Sequence, residues 1–150
     1  MKITIDQIKK LREETGAAVM DCRQALDKSG GDVKKAKVWL EKRGREKAEK
    51  KAGRQTGEGL IEAYIHATGK VGAIVEVTCE TDFVARNAEF KNLAHEIAMQ
   101  VASMNPRDLA SLLKQEYIRD NSKTVEELIK ETIGKLGENI VVKRIQRFEI

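Results

Sequence analysis

Apolar residues recur at helical spacing as far as Leu40 and at alternating spacing after Gly57, and this change of period divides the chain. Ile5, Ile8 and Leu11 predict a short helix that Thr15-Gly16 ends, because glycine accepts the left-handed backbone that commonly follows a helix. A second helix is predicted from about Ala18 to Lys28, with Val19, Cys22, Ala25 and Leu26 on one face. Ser29-Gly30-Gly31 stops it, and Asp32 is placed to cap a third that carries Val33, Ala36, Trp39 and Leu40. Short amphipathic helices joined by tight glycine-bearing turns predict a three-helix bundle, with Trp39 in its core.

From Glu41 to Arg54 good helix formers continue while the apolar stripe fades, which predicts a water-exposed helical linker of basic character. Its charges suit a patch for RNA or an acidic protein, or a solvated connection interrupted by Glu41, Glu46 and Glu49. Beyond Gly57, Leu60, Glu62, Tyr64 and His66 alternate with Ile61, Ala63, Ile65 and Ala67. A turn at Thr68-Gly69-Lys70 comes next, and Val71 to Thr78 returns as the second strand of a β-hairpin with one buried face. Phe90, Leu93, Ala94, Ile97, Ala98, Val101 and Met104 mark a long amphipathic helix that covers the hairpin and stops at Asn105-Pro106. Leu109, Leu112, Leu113 and Tyr117 predict a shorter helix leading to Asn121-Ser122. Thr124-Val125-Glu126-Glu127 then offers a capping box for a last helix, which Gly137 ends. The β-branched tail from Asn139 predicts a third strand beside the hairpin. The expected fold class is α+β: a three-helix bundle over 1–43, a basic linker over 44–57, and a core over 58–150. That core is a small antiparallel three-stranded sheet packed by helices.

Composition narrows the function classes. Hydrophobic residues at 41% and charged residues at 35% predict a folded chain with a densely charged surface. A net charge of +4, from 28 Lys and Arg against 24 Asp and Glu, is too evenly mixed to mark a nucleic-acid binder. Aromatic content of 4% supplies no platform for stacking bases, so no direct nucleic-acid partner is expected. Cys22 and Cys79 lie in apolar segments, outside any CxxC, as buried thiols of a reducing compartment do. Charge arrives too early, at Lys2 and Asp6, for a signal peptide, and no run approaches the ~18 apolar residues of a membrane span. A soluble, cytoplasmic protein with no membrane partner is expected.

The chain offers little to catalysis. His66 and His95 are its only histidines, and neither is spaced for a metal or for a nucleophile and base. There is no glycine-rich phosphate loop. No cofactor, no metal, no direct nucleotide binding and no covalent chemistry are expected. The exception to a bland surface is Thr81-Asp82-Phe83-Val84, which puts an aromatic ring beside a carboxylate at a strand-to-helix junction where a polar turn is usual. Either Thr81 or Asp82 caps a helix while Phe83 tucks into its own core, or Phe83 stands out from a rigid corner as a wedge into a partner.

Thr15-Gly16-Ala17, Met20-Asp21-Cys22, Ala25-Leu26, Gly31-Asp32, Ala52-Gly53-Arg54 and above all Cys79-Glu80-Thr81-Asp82-Phe83-Val84-Ala85-Arg86-Asn87 resemble the elongation factor Ts family, in its short bacterial form. The resemblance covers the whole chain, with the motifs in order and at the right intervals. It implies that the head is ubiquitin-associated-like and that the chain is a guanine nucleotide exchange factor, binding the GDP form of elongation factor Tu in translation elongation. By resemblance Arg12, Val19 and Met20 belong to the head's contact surface, Val19 standing where many relatives have a methionine. Thr81, Asp82, Phe83 and Val84 correspond to the element that dislocates the partner's magnesium, with Asp82 and Phe83 intruding between partner helices. Longer members of the family carry a second core subdomain and a coiled coil that this chain has nothing to supply. The terminal strand is therefore expected near an open sheet edge, where two copies pair into a homodimer that binds two partners in a 2:2 complex. Two other classes compete: a module that binds RNA or the ribosome, marked by steep salt dependence, and a small enzyme using Asp82 or Cys79. The latter lacks a positioned base.

Overall fold

A computed structural model describes residues 2–150; Met1 lies outside the described residues. Thr4 and Gln7 exchange the two bonds of a capping box to start α1 (Ile5–Thr15), and Gly16, at φ 69°, ends it. Asp32 accepts from the Lys35 N–H and so separates α2 (Val19–Lys28) from α3 (Val33–Lys51). Leu11, Cys22, Ala25, Leu26 and Ala36 form a small buried core, ringed by half-buried Ile8, Trp39 and Leu40. Ile5 faces solvent.

The segment after Leu40 is helical as far as Lys51 and continuous with α3, but it is not simply solvated. Ala48 is buried in the core of the second half of the chain. Gly44 lies so close to the last helix, α7 (Val125–Leu136), that a Cβ on Gly134 would stand 2.5 Å from the Gly44 Cα. Ion pairs from Arg45 to Glu127 and Glu131 flank this crossing. Two glycines and an alanine let the backbones touch without any large apolar side chain, so the contact leaves no hydrophobic stripe to read.

β1 (Glu58–Ile65), β2 (Val71–Cys79) and a terminal strand, β5 (Val141–Glu149), form an antiparallel sheet of order β1-β2-β5. Ile74 is opposite Ala63 on one side and Gln146 on the other, and a bulge falls between Glu76 and Val77. After the single turn α4 (Asp82–Ala85), α5 (Ala88–Met104) lays Phe90, Leu93, Ala94, Ile97, Ala98 and Val101 over Ala73, Val75 and Val77. Asn105, at φ 46°, ends α5, and Met104 is exposed. The other face of the sheet is open: Ile61, Ile65, Ile74 and Phe148 are all exposed, while Leu60 and Tyr64 turn to the core.

Two expectations fail between Leu109 and Thr124. The helix α6 (Leu109–Lys114) stops before Tyr117, which lies in β3 (Glu116–Tyr117), and Asn121-Ser122 is inside β4 (Asp120–Thr124) instead of breaking the chain. Side chains of α5 hold this ribbon. Glu96 accepts from the Tyr117 hydroxyl and Arg119 at 2.6 Å each, and the Gln100 carbonyl accepts from the Ile118 N–H. Partners more than fifteen residues upstream favour extended backbone where local spacing favoured helix. The Thr124–Glu127 capping box then begins α7.

The Asp82-Phe83 corner and the head face

β2 ends at Cys79, and the chain bends through Glu80 and Thr81 into α4. Thr81 is the cap of that turn, its hydroxyl accepting from the Val84 N–H at 3.4 Å. Phe83 does not enter the core: the residue is 76% exposed. Asp82 is exposed too and pairs with Arg86 at 3.1 Å, while the Arg86 guanidinium stands 5.6 Å from the centre of the Phe83 ring. Val84 packs against the main core. Thr81 and Val84 are thus the footing of the corner, and Asp82 and Phe83 are what it presents.

A second set of bonds fixes the footing from below. Gly137, at φ 78°, ends α7 in the left-handed conformation and turns the chain so that Glu138 and Asn139 reach the corner. Glu138 accepts twice from Thr81, from its N–H at 2.9 Å and from its hydroxyl at 2.7 Å. The Asn139 N–H donates to Glu80 at 2.8 Å, and its side-chain amide donates to the Arg54 carbonyl at 2.8 Å. That Asn139 N–H, with the charge of Arg54 adding to it, holds the Glu80 carboxyl below its usual range. Burial first, and the Glu138 carboxylate next, push the Cys79 thiol up to about 11. Its S–H donates to the Thr81 carbonyl at 3.2 Å.

Arg12 on α1 and Val19 and Met20 at the start of α2 are exposed, Met20 to 61%. The turn between these helices lies beside α5, since a Cβ on Gly16 would meet Glu89 Oε1 at 2.9 Å. The head face therefore neighbours the helix that comes after the corner. Arg86, Glu138 and Asn139 were not singled out from sequence. A carboxylate and an amide after a helix-ending glycine were the available signal, but they do not name their partner 57 residues away.

Among the described residues no group of His, Cys, Asp and Glu is arranged to hold a metal ion. Cys22 and Cys79 are both free and buried. No described helix is long and apolar enough to cross a membrane. Exposed apolar side chains on a braced corner and on a neighbouring helical head form surfaces of the kind that protein partners bury.

The family model described as Elongation factor TS matches residues 80–150, the stretch that begins at the corner and includes its brace. Elongation factor Ts of Coprothermobacter proteolyticus is 43% identical, with all of this chain and 99% of that protein covered. The proteins of that name from Thermotoga neapolitana and Rippkaea orientalis are 43% and 44% identical, covering 100% and 98% of this chain and 98% and 78% of their own lengths. The chain belongs to the elongation factor Ts family. The first of these alignments runs over 195 residues against 150 in the chain, so that relative carries residues with no counterpart here.

Proposed function

We propose that this chain is the cytoplasmic guanine nucleotide exchange factor for elongation factor Tu, binding the GDP form, promoting GDP release and GTP reloading, and doing no covalent chemistry. The observation that carries the reading is the exposed Phe83 ring beside Asp82, on a corner whose backbone is held by Glu138 and Asn139. A rigid mount lets a ring transmit force to a partner's helices instead of folding back.

Arg12, Val19 and Met20 dock the head, and the corner enters between partner helices. Magnesium tolerates little departure from octahedral geometry, so a small displacement of its supports weakens both the ion and the diphosphate it neutralises. Coupling between two ligands of one protein is reciprocal: a factor that loosens nucleotide is expelled when nucleotide rebinds. Exchange is thereby accelerated in both directions, and the cellular ratio of GTP to GDP decides the product.

A second copy completes the assembly in this reading, giving a homodimer that binds two partners. The order β1-β2-β5 leaves the terminal strand at an edge for the second copy. Ile61, Ile65, Ile74 and Phe148 support the adjoining open sheet face as a further part of the contact, because a lone chain leaves this apolar side of a three-stranded sheet in water. The Glu76–Arg144 pair lies on the same face and offers charge of both signs to a two-fold copy of itself.

Release of labelled GDP from purified elongation factor Tu tests the function: adding this protein shortens the release time, and an unchanged time rejects the reading. A steep loss of affinity with salt would favour the RNA-binding class instead. Sedimentation at micromolar concentration tests the dimer, a monomer being the adverse result.

A further inference from the structure

The corner is one helical turn long, and a single turn has too few backbone bonds to hold itself in water. Its shape therefore depends on what grips Thr81. Both oxygens of Glu138 are engaged by Thr81, one by the N–H and one by the hydroxyl, and among the described residues no cation pairs with this half-buried carboxylate. It stands close enough to Cys79 for its charge to raise that thiol. A partly desolvated carboxylate without a cation is a cost to the fold. Closing the loop after α7 does not require one, since Gly137 ends the helix and buried Asn139 and Ile140 anchor the chain as it enters β5.

The hydroxyl geometry shows what the carboxylate does. A threonine hydroxyl has one proton to give and two lone pairs to offer, and its proton can rotate. With the proton directed at Glu138 Oε2 at 2.7 Å, a lone pair is left facing the Val84 N–H, the 3.4 Å cap that starts α4. The second bond fixes the Thr81 backbone at the point where the strand becomes the turn. Remove the carboxylate and both restraints on Thr81 vanish together, while Val84 stays seated and the sheet is untouched.

We propose that Glu138, reaching across from the end of α7, is a positioning residue that sets the direction of Asp82 and Phe83 by holding Thr81 in its capping conformation. This deepens the exchange-factor reading and rests on it for its functional consequence, but the structural part stands by itself. Glu138 touches no partner in this scheme; it acts through Thr81.

Two measurements on the intact protein test it. In hydrogen exchange without any partner, Glu138→Ala raises the rates at the Thr81 and Val84 amides by about tenfold, while the β2 and α5 amides keep their protection. Glu138→Gln keeps one acceptor for the Thr81 N–H, gives an intermediate increase, and decides the matter if the alanine variant does not fold. In GDP release from elongation factor Tu, Glu138→Ala lowers the saturating rate by about fivefold and leaves the half-saturating concentration within twofold, because the head face still docks. Added to Phe83→Ala, it causes only a small further loss, since Asp82 alone is then left to aim. Unchanged amide rates at Thr81 and Val84, or a loss fully additive with Phe83→Ala, overturns the proposal. If the unaltered protein leaves GDP release unchanged, the exchange reading falls, and the amide rates alone then decide whether Glu138 sets the corner.

Discussion

The head face and the corner present apolar side chains to solvent by different means. Val19 and Met20 project from α2, a helix of 10 residues whose backbone bonds run along itself, on a bundle with its own small core. Phe83 projects from 4 residues of helix, and the turn is held at its start by Thr81 and Glu80, themselves bonded to Glu138 and Asn139 from much later in the chain. A change on the head face acts where it is made. On the exchange-factor reading proposed above, the corner can be loosened by a residue that meets no partner, and the two surfaces would divide the work: an autonomous helix suits affinity, while a braced turn suits directed displacement.

The largest effect that would break this division is at Phe83. Phe83→Ala removes the exposed ring without opening a cavity, so the saturating rate of GDP release falls by about thirtyfold, the loss of a ~2 kcal/mol hot spot, while the thermal midpoint stays in place. Asp82→Ala reduces the rate less, because the ring covers the greater area. A Phe83→Ala protein that melts early would place the ring in the structure's own support and remove the contrast with the head.

Next in size is the joint that sets head against core. Gly134→Ala forces a Cβ to within 2.5 Å of the Gly44 Cα and 2.7 Å of its carbonyl, so α3 and α7 must separate at a cost of about 1–3 kcal/mol, read from the urea midpoint. Gly44→Ala is the control, for its Cβ would meet nothing closer than the Glu131 Cα at 3.8 Å. That variant gains about 0.5–1 kcal/mol from the better helix former. Equal behaviour of the two variants would mean that the helices do not cross at this point.

A smaller effect sharpens the comparison from the other side. Met20→Ala raises the concentration of factor needed for half-maximal exchange about fivefold and leaves the saturating rate unchanged, as the loss of ~1 kcal/mol of uniform binding does. A fall in the saturating rate would give the head a share in displacing nucleotide and merge the two roles.

How much of the molecule is legible along the chain depends on the range of the interactions. The head helices, the hairpin, α5 and the capped α7 are governed by side chains three or four residues apart or by a two-residue alternation, and both periods are visible in the sequence. The ribbon at Glu116–Thr124 is held by Glu96 and Gln100, and the α3–α7 crossing depends on the absence of side chains at Gly44 and Gly134; neither leaves a periodic trace. At the corner, the oddity of a ring next to a carboxylate is plain in the sequence, but two fates for Phe83 stay open. The ring stays exposed on a turn whose first residue is bonded to Glu138, 57 residues along the chain, a long-range contact that spacing does not encode.

A further predicted effect lies at the root of the corner, in the Cys79 thiol. Burial, aided by the nearby Glu138 carboxylate, carries it from 9.0 to about 11, so in the folded protein the proton is held more tightly than in the unfolded chain. Between about pH 9 and 11 the unfolded chain sheds this proton while the folded one keeps it, so the unfolded state binds fewer protons and stability falls as pH rises. Below pH 9 both forms are protonated and the thiol contributes no slope. Urea midpoints measured at pH 8, 9 and 10 therefore decline more for the unaltered protein than for Cys79→Ala, in which the other titrating groups are the same. Parallel declines would show that the thiol ionises as freely inside the fold as outside it. Glu138→Gln should recover part of the difference, because it withdraws the carboxylate while leaving the burial, and that would tie the chemistry of the buried thiol to the residue that braces the exposed ring.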